Sequence, residues 1–291
     1  MSLTLTPSLG IAMAVLAGVA LVLPACLGGE RRRWAVAALL ALVALAAPVG
    51  SGPAVAAALA WPTVVLAQLA TALRAAGPVR SWTRRDVVHL VASVDALVAG
   101  CWFVLSRAGA SPLGIHEPIV ALTAVHFTYA GAAAVTLAGA AADAAPTRRA
   151  LGTGAVALSA AAPALVASGF VTRSAVAQVG GAVVMTLGVW ATAGMQLAEA
   201  HRTGPRVARL LLAVSALSVW APMVLAVAWA AAQHAEVAAL SIPDMIPTHG
   251  GLNAVGFVGC GLLARWVQRR PAADRTPRVR SPQVRPMSAT P

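Results

Sequence analysis

Apolar residues in this chain neither alternate nor keep to one helical face; they fill whole stretches. Runs of Ala, Val and Leu recur about every 25 to 30 residues, separated by short segments of Arg, Pro and Gly. About 20 apolar residues in a helix cross the hydrocarbon core of a bilayer, where every backbone polar group must be satisfied internally. The pattern therefore predicts an all-α, polytopic transmembrane helical bundle. About nine spans follow, near residues 8–27, 34–48, 54–73, 87–106, 118–139, 150–169, 174–197, 207–232 and 248–267. The second is short and Ala-rich, and it ends in Pro48-Val49-Gly50-Ser51-Gly52-Pro53, a tight turn by composition. The first lacks a basic leader and reads as a retained helix.

Charge sets an expected direction. The chain is 59% hydrophobic and 10% charged, with formal net charge +12, and all 21 basic residues are arginine. Taking alternate connections, one side receives Arg31 to Arg33, Arg74, Arg80, Arg84, Arg85, Arg148, Arg149, Arg202, Arg206, Arg209 and the arginines from Arg265 onward. Only Arg107 and Arg173 remain for the other. The excess of arginine in cytoplasmic loops orients the chain with its N-terminus out and its C-terminus in. In a membrane protein that excess marks cytoplasmic loops, not a nucleic-acid site. Residues 1–270 form the membrane domain; 271–291, rich in Pro, Arg, Ser and Thr, read as a disordered basic cytoplasmic tail. Trp34, Trp82, Trp102, Trp229 and Trp266 fall near span ends, the interfacial position. Cys26, Cys101 and Cys260 read as small buried hydrophobes.

The polar exceptions carry the candidate chemistry. An ionisable group within the bilayer is costly unless paired or wet, which makes it a functional candidate. Asp95 lies midway along the fourth span. His126 lies about 12 Å deep in the fifth at 1.5 Å per residue, with Thr123 and Tyr129 on the same stripe. His249 and Asn253 share a face at the start of the last span, among Gly250, Gly251 and Gly256. His116 and Glu117, and Asp244 in a connection that also carries His234, belong to the same extracytoplasmic side. One vestibule gathering His116, Glu117, His126, Asp244, His249 and Asn253, with Asp95 at its floor, is the expected site. His126, His249, Asp95 and Glu117 are its acid–base candidates; Asn253, Tyr129, Thr123, His116 and Asp244 are its substrate contacts. His89 reads as a headgroup-level residue, and Glu199 and His201 as solvated.

No His-Glu-x-x-His, Cys-x-x-Cys, phosphate-binding loop or Gly-x-Ser-x-Gly elbow occurs, so no metal ligand set and no cofactor are expected. Two stretches carry a family resemblance: Ile119-Val120-Ala121-Leu122-Thr123-Ala124-Val125-His126-Phe127-Thr128-Tyr129-Ala130-Gly131, and Thr248-His249-Gly250-Gly251-Leu252-Asn253-Ala254-Val255-Gly256-Phe257. Both resemble the signature of the YndJ-like bacterial membrane proteins. That family's first motif carries a second histidine where this chain has Thr128 and a phenylalanine where it has Ala132, which puts a paired-histidine metal site in doubt. The resemblance implies a polytopic cytoplasmic-membrane protein of the kind labelled a transporter without an assigned substrate, and it brings His126, Tyr129, His249 and Asn253 forward.

Three readings follow. The first is a transporter-like protein of unknown substrate. The second is an intramembrane enzyme (a cyclase, isomerase or hydrolase) acting on a lipophilic molecule. The third is a structural or assembly factor. The expected partners are the lipid bilayer and a lipophilic small molecule or an ion.

Overall fold

The computed structural model describes residues 7–202, 204–235, 237 and 240–269. The tail expected over 271–291 lies outside them. Among the described residues there is no strand. Eight helices among the described residues are long and apolar enough to cross a membrane: α1 (Ser8–Leu27), α3 (Gly52–Ala76), α4 (Arg84–Arg107), α5 (Ile119–Ala144), α6 (Pro146–Thr172), α7 (Ala175–Ala200), α8 (Arg206–Ala232) and α9 (Ile242–Arg269). The chain is a multi-pass membrane protein.

Between α1 and α3 lies the short helix α2 (Arg31–Ala46), 16 residues. At 1.5 Å per residue it is about 24 Å long, less than the roughly 30 Å hydrocarbon core. It nevertheless runs from one end of the bundle to the other. It begins just after Cys26, which shares a cleft with Arg84, Asp143 and Arg265. It finishes where Ala47 O accepts from Arg107 Nη2 at 2.9 Å and Gly50 N donates to Arg107 O at 2.9 Å, at the far end of α4. The nine expected segments are thus all helices, one of them short.

Local chemistry explains the ends. Gly28 and Gly77 stop α1 and α3 at φ of 67° and 66°, which only glycine adopts without strain. Thr83 and Asp86 open α4 with reciprocal side-chain-to-backbone hydrogen bonds. Ser51, Ser174 and Ser241 accept from backbone N–H groups at the starts of α3, α7 and α9. Lipid offers no hydrophobic drive between helices, so close approach through small residues holds them. A Cβ on Gly169 would meet the backbone of Gln178 at 2.5 Å, on Gly181 that of Val166 at 2.7 Å, and on Gly188 the Ser159 hydroxyl at 2.9 Å. As one partner number rises the other falls, so α6 and α7 lie antiparallel along that seam.

Three helices wind more widely over part of their length, with π-helical turns at Gly18–Val22 in α1, Phe127–Ala133 in α5 and Ile246–Gly259 in α9. Such turns shift the face a side chain presents and concentrate at functional sites. The turn in α1 meets that in α5, where a Cβ on Gly18 would touch Thr128 at 3.0 Å, and the α-helical start of α1 meets the turn in α9, where a Cβ on Gly10 would touch Ile246 at 3.3 Å.

Three expectations are corrected. Trp34 is not interfacial; it is buried, with Nε1 donating to Gly28 O at 2.7 Å. Cys101 is exposed on the bundle surface, while Cys26 and Cys260 are half-buried. Glu199 is not solvated: it ends α7 in a largely buried ion pair with Arg265 of α9, 2.5 Å apart, supported by Gln268 at 2.8 Å.

Candidate functional site

The π-helical parts of α5 and α9 form two walls of a cavity of about 320 Å³ at the arginine-poor end. The ends of α4, α6 and α8 and the start of α7 close the rest through Trp102, Phe170, Trp229 and Gln178. The lining is almost wholly apolar. Its polar side chains are Thr123, His126, Tyr129, Gln178, His249 and Asn253.

His249 is held in a defined orientation. Its Nδ1 lies 2.8 Å from Pro222 O in α8. A carbonyl only accepts, so Nδ1 carries the proton, and in the neutral ring Nε2 keeps its lone pair. Asn253, one turn on, donates from Nδ2 to His249 O at 2.9 Å. Its 3.3 Å approach to Nδ1 is then proximity and not a bond, because that nitrogen already donates.

His126 differs. It packs edge-on against Phe127, with ring centroids 6.2 Å apart, and its buried Nε2 has no hydrogen-bond partner among the described residues. The two imidazoles, from helices more than a hundred residues apart in sequence, line one cavity. Tyr129 donates its hydroxyl to Ala14 O at 3.1 Å, and Thr123 donates to Ile119 O at 2.8 Å. Both lining hydroxyls are therefore already engaged by backbone.

Asp95, Glu117, His116 and Asp244 do not line the cavity. Asp95 is buried on α4 behind the π-helical turn of α5, its carboxyl against Gly131, where a Cβ would come within 2.8 Å of it. The carboxyl thus meets α5 at Gly131, which does not line the cavity. Glu117 is exposed and accepts from Ala121 N at 3.2 Å, capping α5. His116 pairs with Ser111 Oγ at 2.9 Å. Asp244 closes the first turn of α9 through Ser241, 2.5 Å away. These three serve chain ends and turns.

One lining residue escaped sequence reasoning. Gln178, buried at the start of α7, holds His234 Nε2 with its Oε1 at 2.8 Å. Its signal was a lone carboxamide opening an apolar span. Among the described residues no group of three or more His, Cys, Asp or Glu side chains is arranged to hold a metal ion.

A family model described as YndJ-like protein matches residues 8–257, from α1 through most of α9. The chain belongs to the YndJ-like family. No curated protein and no solved structure matches it.

Proposed function

We propose that this member of the YndJ-like family takes a lipophilic molecule with one polar group into the α5–α9 cavity, and that His126 and His249 exchange protons with it there. The observation that carries this reading is the unpartnered imidazole of His126 facing an otherwise apolar space shared with His249. A buried polar group without a partner costs about 1 to 3 kcal/mol, a cost that a bound ligand's polar group would relieve. With Nδ1–H of His249 committed to Pro222 O, Nε2 is left as a base. His126 supplies the second proton-transfer group, so a proton removed at one carbon and returned at another suits the pair: isomerisation or ring closure, with no net redox change. The location is a bacterial cytoplasmic membrane with the cavity toward the outside, by the arginine distribution.

The test is the lipid extract of purified wild-type, His126→Ala, His249→Ala and Asp95→Ala proteins, read by mass spectrometry. A lipophilic species should accompany the wild type and Asp95→Ala and fall at least tenfold with either histidine variant. Correctly inserted variants with the same extract as wild type would overturn the reading.

Transport keeps one supporting observation. A second cleft opens at the opposite end, and its lining includes Thr136 and Gly139 of α5, one turn beyond the cavity-lining Ala134. Labelling of a cysteine at Ala134 by membrane-impermeant reagent from both sides would favour transport over intramembrane catalysis.

A further inference from the structure

The cleft at the arginine-rich end has its own chemistry, which the proposed activity does not use. Its volume is about 720 Å³. Its apolar lining includes Cys26, Leu73, Val88 and Leu90. The same cleft is lined by four guanidinium groups, Arg84 and Arg85 from the start of α4 and Arg265 and Arg269 from the end of α9, and by Trp82.

The charges there do not balance locally. Arg84 Nη1 and Arg85 Nε both reach one carboxylate, that of Asp143, at 3.3 and 3.2 Å. Each guanidinium has five N–H donors, so most of theirs point elsewhere. Arg265 is neutralised by Glu199. Arg269 is exposed and has no acidic partner among the described residues. Asp86 is turned back to cap α4 through Thr83, at 2.6 and 2.7 Å. A planar fork of donors suits phosphate oxygens. The apolar residues that line the same cleft suit an acyl chain.

We propose that this cleft binds a phosphate-bearing anion, with Arg84, Arg85 and Arg269 as its donors and Leu73 and Val88 receiving the attached hydrocarbon when the phosphate belongs to a lipid. Asp143 is the internal competitor: it occupies the α4 arginines when the site is empty and yields them to the ligand.

The experiment uses the full chain in detergent, with phosphatidylglycerol, phosphatidylcholine and inorganic phosphate each titrated against thermal stability and intrinsic tryptophan emission. Phosphatidylglycerol should stabilise the protein, and phosphatidylcholine should do so much less. An equal response to inorganic phosphate, with the same arginine dependence, would assign the site to a soluble source of the same group. One basic residue near an anionic surface contributes about fivefold in affinity, so Arg84→Gln with Arg85→Gln should weaken binding about 25-fold. Arg31→Gln with Arg32→Gln, which do not line the cleft, should leave binding unchanged. Because the α4 variant also breaks the ion pairs with Asp143, Asp143→Asn is the deciding change. It should tighten binding several-fold by freeing both guanidiniums, whereas a purely structural cluster would only lose stability. Equal weakening by the Arg31/Arg32 variant, or no tightening in Asp143→Asn, would overturn the proposal.

Discussion

The Nδ1 atom of His249 and the carbonyl oxygen of Pro222 lie 2.8 Å apart, joining α9 to α8 and leaving Nε2 as the free nitrogen of the ring. The same side chain thus packs two helices and offers a base, and substitution separates these uses. Asparagine places an N–H donor near Nδ1 and has nothing at Nε2. His249→Asn should keep thermal stability within about 0.5 kcal/mol of wild type and lose the co-purifying ligand. His249→Ala should lose both, with roughly 0.5 to 1.5 kcal/mol of stability from the missing hydrogen bond. Unfolding curves together with lipid extracts check this.

Gly131 leaves room on α5 for the Asp95 carboxyl. A Cβ there would sit 2.8 Å from Asp95 Cγ and Oδ2. Gly131→Ala should cost about 1 to 3 kcal/mol through overpacking. Asp95→Ala combined with it should recover most of the loss, and a double-mutant cycle in detergent measures the coupling.

The Glu199–Arg265 pair is largely buried, with side-chain exposures of 10% and 11%, and Glu199 Oε2 and Arg265 Nη2 lack partners among the described residues. Removing one member leaves a buried charge, so Glu199→Gln or Arg265→Met alone should cost about 3 to 5 kcal/mol. The double change Glu199→Leu with Arg265→Met should cost far less. Additive losses in the melting temperature would contradict this account.

Direction across the membrane is open to labelling. In a background with its three cysteines replaced, a cysteine at Ser111 should react with a membrane-impermeant maleimide in intact cells. A cysteine at Arg32 should react only after permeabilisation. The reverse pattern would turn the bundle over and place the histidine cavity toward the cytoplasm.

The transmembrane segments could be read residue by residue because the forces that create them act on each segment separately. A stretch such as 175–200 is a helix in lipid whatever its neighbours, since its amides have no other partners. Depth is equally local, and it put His126 and His249 at one end without any fold in hand. Facing is different. It depends on which helices meet and on how each winds. Around the π-helical turn at Phe127–Ala133, His126 and Tyr129 line the cavity while Gly131 backs onto Asp95, and no composition rule signals that winding. Glu199 and Arg265, 66 residues apart, looked like loop charges until α7 and α9 were packed together. Gln178 and His234 join across 56 residues for the same reason. Hydrocarbon thickness and backbone desolvation, written into each run of residues, decided the membrane helices. Contacts between distant runs, which only the packed bundle brings together, decided that the Thr248–Phe257 stretch meets His126 and not Asp95.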